Sequence, residues 1–190
     1  MKRPGPSGQP TELAARLEID PGKLVIARAS EGDAEALSAL ALRSKSHWGY
    51  PESWLEEWRP QLTISGETIA SSPVFVVRAG EATLGFYALE LQGPKASLDH
   101  LWIDPPAIGR GLGRLLFEHA RSEAARCGVS LLEIDSDPNA EPFYKATGAV
   151  RVGTVPAPVA GQARELPRLQ LDLSGERAGG TDRNTTERKP

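Results

Sequence analysis

The stretch that decides the fold is IDPPAIGRGLGRLLFEHA, residues 103–120. An apolar strand end runs through two prolines into three glycines at alternate positions, Gly109, Gly111 and Gly113, set among Arg110 and Arg114. Apolar residues then recur at helical spacing as Leu112, Leu116, Ala120 and Ala124. The first amides of a helix have no intrahelical acceptor, and the positive end of the helix dipole lies beside them. Glycines let a phosphate approach that bare backbone, and the two arginines add charge. The pattern therefore predicts an anion seat at the first turn of a helix. Two common phosphate loops fail on spacing. A P-loop needs Lys and then Ser or Thr after its second glycine, whereas Arg114 and Leu115 follow Gly113. A dinucleotide fingerprint needs Gly-x-Gly-x-x-Gly, and neither Gly109 nor Gly111 begins one.

Upstream of this turn, KLVIARA (23–29) reads as a strand. SEGDAEALSALALRSKSHW (30–48) reads as a helix capped by Ser30 or Asp33, with Ala34, Leu37, Leu40 and Ala41 on one face. PESWLEEWRPQL (51–62) is a second helix, opened by Pro51 and stopped near Pro60. PVFVVRAG and EATLGFYALELQG form a hairpin across Gly80 and Glu81, and KASLDHLWI (95–103) is the strand that enters the turn. Downstream, the helix 111–127 ends at Gly128. VSLLEID (129–135) is a buried strand, NAEPFYKATG (139–148) a short helix, and AVRVGTV and ELPRLQLDL are closing strands. Hairpins followed by a strand–helix–strand unit predict an α/β protein with a mixed sheet and helices packed on it.

Composition narrows the function. The chain has 190 residues, 39% hydrophobic, with net charge -3, a profile of about one soluble domain. No basic stripe supports nucleic-acid binding. Cys127 is the one cysteine, which excludes an internal disulfide and a Cys-rich zinc site; His47, His100 and His119 are too scattered for a local metal motif. No apolar run approaches the roughly 20 residues of a membrane helix. MKRPGPSGQP has no apolar core behind its basic residues, so no secretion signal is expected and the chain reads as cytoplasmic. Residues 1–22 and 174–190 read as disordered extensions around a domain spanning 23–173.

LWIDPPAIGRGLGRLL (101–116) resembles the acetyl-coenzyme A signature of the GNAT (Gcn5-related) N-acetyltransferases, and AEPFYKATGA (140–149) resembles that family's second landmark. The resemblance implies the GNAT fold: a mostly antiparallel sheet with a central parallel strand pair, helices on both faces, and a V-shaped gap between 101–103 and 131–135. It also implies acetyl-CoA as co-substrate, with no metal. The pantetheine arm would run along the backbone of Leu101, Trp102 and Ile103, and the pyrophosphate would sit on Ile108, Gly109, Arg110, Gly111, Leu112, Gly113 and Arg114. Ile108 stands where the family usually has Gln or Arg, which costs little if the contact is a backbone amide. Asp137 stands where the family often has Asn, so either Asn139 substitutes or the contact is absent.

For chemistry, the resemblance assigns Tyr144 as the acid that meets the departing thiolate. The base is expected on the strand before the turn. Ser97 cannot serve at neutral pH; Asp99 can if burial raises its pKa, with Glu90 as second choice. Strict alternation places 97, 99, 101 and 103 on one face and His100 and Trp102 on the other. KSHWGYPESWLEEW (45–58) is expected to wall the acceptor site through His47, Trp48 and Tyr50, its aromatics and carboxylates suiting an amine with an apolar body. The blander alternative is that Trp54 and Trp58 pack a helix on the core. The expected function is acetyl transfer to a primary amine of a small molecule or protein, by direct attack and without a covalent enzyme intermediate. An acyl-CoA sensor without acceptor chemistry and a hydroxyl acyltransferase are the alternatives, and the resemblance leaves room for a homodimer.

Overall fold

The computed structural model describes residues 21–175. The extensions expected at 1–22 and 174–190 fall almost wholly outside those residues. Seven strands form one sheet in the order β1-β2-β3-β4-β5-β7-β6. They are β1 (Leu24–Arg28), β2 (Val74–Ala79), β3 (Ala82–Gln92), β4 (Lys95–Ile103), β5 (Leu131–Asp135), β6 (Val150–Pro156) and β7 (Glu165–Asp172). Every neighbouring pair is antiparallel except β4 and β5. That parallel pair is forced by the crossover helix α4 (Leu112–Arg126), which returns the chain to the same sheet edge.

Helices cover both faces. On one face, α1 (Ala34–Ser46) and α2 (Glu52–Trp58) bury Leu37, Leu40, Ala41, Leu55 and Trp58 against Val74, Val76, Phe86 and Ala88 of the sheet. On the other, α4 buries Leu112, Leu116, Phe117, Ala120 and Ala124 with Tyr87, Leu132 and Ile134. The stripe at i, i+4 is what lets one face of a 15-residue helix lie flat on the strands. Gly85 on β3 makes the close approach possible. A Cβ there would stand 3.2 Å from the Leu116 side chain of α4 and 2.7 Å from the Trp102 carbonyl oxygen of β4. The short helix α5 (Glu141–Ala146) follows β5 and packs Tyr144 on the α4 side.

Two local features depart from the sequence reading. A further helix, α3 (Gly66–Ser71), fills a stretch whose sequence points to no element; it buries only Ile69 and begins where Ser65 Oγ accepts from the Thr68 amide at 3.0 Å. In β4 the ladder slips. Ala88 pairs with His100 but Leu89 pairs with Leu98, so Asp99 is an extra residue, a β-bulge. Ala96 and Leu98 therefore face α4, and so do Leu101 and Ile103. Ser97, Asp99, His100 and Trp102 line a cavity on the opposite side. The strict alternation expected for 97–103 is thus wrong past Leu98, and His100 shares the face of Asp99.

Candidate functional site

The parallel pairing of β4 and β5 is short. Lys95, Ala96 and Ser97 pair with Leu131, Leu132 and Glu133, and the register ends there. Beyond it the β4 backbone has a free side. The Asp104 amide donates to the Leu84 carbonyl at 2.9 Å. By antiparallel alternation Trp102 and His100 then bond β3, while Leu101 and Ile103 turn their main-chain groups to the gap. Leu101 and Ile103 keep their main chain available to the gap. Trp102 does not, because its backbone serves β3 and its ring faces the cavity.

At the end of β4, Pro105–Ala107 form a 3-10 turn, which the Ile108 amide closes by donating to the Pro105 carbonyl at 3.2 Å. The expectation that Ile108 offers a free amide is therefore not met. Gly109 and Gly111 follow with φ of 79° and 82°, left-handed values that favour glycine, and a Cβ on either would meet nothing within 4 Å. The turn is thus open above its backbone. Gly111 caps α4, whose first amides, Leu112, Gly113 and Arg114, lack intrahelical acceptors by helix geometry. A Cβ on Gly113 would touch the Phe143 ring at an ordinary 3.6 Å, so packing alone does not demand glycine there. Bare amides, helix dipole and the Arg110 and Arg114 side chains fit a pyrophosphate. Cys127 lies exposed at the far end of α4, about 20 Å along a 1.5 Å-per-residue helix, and has no place in this site.

Across the sheet lies a cavity of about 480 Å³, lined from α1, the α2 region, β3, β4, β5 and the segment from Ala157 to Arg168. Glu90, Ser97 and Glu133 stand in direct cross-strand register on its floor. Two of its carboxylates are neutralised by cations. Arg168 grips both oxygens of Asp135 at 2.7 and 2.8 Å. Asp137 binds Lys45 at 2.6 Å and Arg164 at 3.3 Å, and accepts from the Tyr50 hydroxyl and the Asn139 amide. Burial opposes the Asp137 charge, but Lys45 and these donors outweigh it and hold the carboxyl below the usual range. Lys45 itself is pulled below the usual lysine range by burial. The cations also lie over aromatic faces, Lys45 4.4 Å and Arg164 5.0 Å from the Trp58 ring.

The other three cavity carboxylates differ. Glu133 accepts from the neutral Gln170 amide at 2.9 Å. Glu90 and Asp99 have no Lys or Arg partner among the described residues. Asp99 is bonded by His100 at 3.1 Å, and this bond holds its carboxyl below the usual range although burial pushes the other way. That reverses the expectation of a raised pKa and makes Asp99 a poor proton store.

Tyr144 lies in α5, just past the carboxyl end of β5, edge-on to Phe117 and Phe143. Burial, and secondarily the Asp137 charge, pushes its phenol far above the usual tyrosine range, so it stays protonated as a donor. Asn139 turns its amide to Tyr50 and Asp137, at 3.0 and 3.1 Å. It serves that hub and does not stand in for Asp137. His47 and Trp48 are exposed, set edge-to-face against each other, and absent from the cavity lining. Tyr50, expected to wall the acceptor site, is also absent from the cavity lining and packs between Trp54 and Trp58.

Lys45, Arg164 and the strap that carries Arg164 line the cavity, and sequence reasoning does not reach them. Val159 plugs that strap into the α1–α2 core, and the Ala160 amide donates to Glu57 at 2.7 Å. The Pro156-Ala157-Pro158 run with Gly161 is the one available signal for an ordered turn.

The architecture is that of an acyltransferase: a mixed sheet split at one parallel pair, with a glycine turn behind the split and a cavity in front. Residues 23–156 match the acetyltransferase (GNAT) domain family, and the chain belongs to that family. The PaiA N-acetyltransferase of Thermoplasma acidophilum, solved with coenzyme A, is similar at 18% identity and a TM-score of 0.65, covering 78% of this chain and 98% of that one. The ribosomal-protein-S18-alanine N-acetyltransferase of Escherichia coli matches at 20% identity and 0.61, covering 80% and 94%. YncA of Salmonella typhimurium, solved with acetyl-CoA, matches at 17% identity and 0.58, covering 84% and 99%. Among the described residues no helix is long and apolar enough to cross a membrane, and no His, Cys, Asp or Glu group is arranged to hold a metal.

Proposed function

We propose that this chain transfers an acetyl group from acetyl-CoA to a primary amine by direct attack. The observation that carries the reading is the strand split. It leaves main chain exposed beside an open glycine turn and, through the sheet, adjoins a cavity holding carboxylates without cations. PaiA and YncA hold coenzyme A and acetyl-CoA on the same fold, which supports acetyl-CoA as co-substrate. When bound, it supplies the acetyl group as an activated thioester.

The residues divide the remaining work. Leu101 and Ile103 present main-chain groups to the pantetheine arm, and the amides of Leu112, Gly113 and Arg114, with Arg110, hold the pyrophosphate. Tyr144 gives a hydrogen bond to the departing thiolate. A thiol has a pKa near 8.5, well below this phenol's, so the hydroxyl stabilises the thiolate without surrendering its proton. An amine reaches the cavity as an ammonium, which Glu90, Asp99 and Glu133 favour over a neutral hydroxyl acceptor. Asp99, held ionised, anchors and orients that ammonium, and the proton leaves to water. The rate should therefore climb with pH toward the pKa of the amine itself.

Thiol release from acetyl-CoA, measured over matched panels of amines and alcohols, tests the reading. Release with amines alone is expected. Release with alcohols alone, or with neither panel, overturns it.

A further inference from the structure

His100 has no role in the chemistry above, yet it is 6% exposed in the cavity wall, and both ring nitrogens are engaged. We propose that His100 is a positioning residue that fixes the Asp99 carboxylate for the incoming amine, through a one-way hydrogen-bond chain beginning at Trp102. The inference rests on the acceptor-site reading of the cavity.

Direction comes from the first link. An indole N–H can only donate, and Trp102 Nε1 gives its hydrogen to His100 Nδ1 at 2.9 Å. The imidazole proton therefore sits on Nε2, which lies 3.1 Å from Asp99 Oδ2. One carboxylate oxygen is in contact with Nε2 and the other is left for the amine. Placement comes from the bulge. In an unbroken strand, consecutive residues point to opposite faces and His100 could not reach Asp99 on the cavity side. The extra residue brings both onto one face.

Need comes from the charges around Asp99. Lys45 on α1 and Arg164 on the strap are committed to Asp137, and Arg168 on β7 is committed to Asp135. Glu90 on β3 and Glu133 on β5 are like charges that line the same cavity as the half-exposed Asp99. Among the described residues, His100 is the cation-capable side chain in contact with Asp99.

Nitrogen NMR of the wild-type imidazole should find Nε2 protonated and Nδ1 bare. A hydrogen on Nδ1 overturns the inference whatever the kinetics show. His100→Leu should raise KM for the amine about 10-fold, the low end for a lost bond to a charged group, and leave KM for acetyl-CoA within about twofold. His100→Gln, whose amide can replace the Nε2–H, should recover most of that loss. Trp102→Phe, which keeps an aromatic ring and removes the directing hydrogen, should show a smaller rise. If His100→Leu does not fold, the wild-type NMR and Trp102→Phe decide. Asp99→Asn separates the two ideas. Harm from Asp99→Asn with none from His100→Leu overturns the role of His100 alone, while an unchanged amine KM in Asp99→Asn overturns the acceptor role of Asp99 beneath it.

Discussion

The two sides of the split sheet are built from different material. The donor side runs contiguously from Leu101 to Arg114 and works mainly through main chain: two strand residues facing a gap, two left-handed glycines and the first amides of α4. The acceptor side is gathered from six parts of the chain and works through side chains, most of them already committed to one another. Main chain is indifferent to most substitutions, so the donor side should be brittle only at glycine. The acceptor side should lose stability where a charge pair is broken, and lose rate where an uncommitted group is removed.

The largest effect should come from Gly111→Glu. A left-handed conformation costs an L-residue about 1–2 kcal/mol, and the new carboxylate opposes the phosphates. Binding of acetyl-CoA should fall below calorimetric detection in a protein that remains folded; unchanged affinity would erase the donor side of the contrast.

Asp137→Asn comes next, and its cost falls on folding. It leaves Lys45 and Arg164 buried against each other without their counter-charge, and breaking a buried pair costs about 3–5 kcal/mol. Denaturant titration should show a loss near the lower end of that range, because the pair is not wholly dry. Lys45→Met should cost less, since Asp137 keeps Arg164, Tyr50 and Asn139. The pH dependence has a definite sign. The Asp137 carboxyl is lowered in the folded chain, so its stabilisation is full above the unfolded value near 3.9 and is lost as pH falls through the lower folded value. Wild type should weaken on acidification below about pH 5 more steeply than Asp137→Asn.

Tyr144→Phe should lower turnover by about 10²-fold, the low end for a lost donor to a developing anion, and leave acetyl-CoA affinity within a few-fold. Equal turnover with chemistry rate-limiting would reduce Tyr144 to packing on Phe117. The smallest effect sharpens the boundary of the acceptor side. His47→Ala and Trp48→Ala should leave the amine KM within about twofold, because both residues stand outside the cavity and exposed-site changes usually cost under 0.5 kcal/mol.

The same contrast governs which parts of the molecule are legible in its sequence. Strand β4, the glycine turn and α4 follow from local rules, proline against a ladder, glycine at a helix start and an apolar stripe at i, i+4, so residues 95–127 display their order and extent. The 80–81 hairpin is legible for the same reason. The acceptor cavity is not, because the pairing of Lys45 with Asp137 and Arg164 joins positions far apart in the chain, and lone charged residues carry no spacing signal. Read alone, Asp137 looks like a liability toward the cofactor. Its two cations make it a strut. Strict alternation puts His100 on the wrong face because one unpaired residue in a strand leaves no mark in composition, and α3 escapes notice because Ile69 is its only buried apolar side chain.

The bulge at Asp99 has a practical consequence for anyone recombining this enzyme with its relatives. It is a change of phase within one strand: Ala96 and Leu98 are in step with the α4 layer before it, Leu101 and Ile103 after it. A crossover placed inside residues 97–101, joined to a donor sequence with a different phase, would turn the second half of the strand inside out, burying polar groups under α4 and sending leucine and isoleucine into the cavity. Segments 95–103 should therefore be exchanged whole or left alone. A library that respects this joint can vary Glu90 and Glu133 together, and the strap only where Val159 and Arg164 are kept.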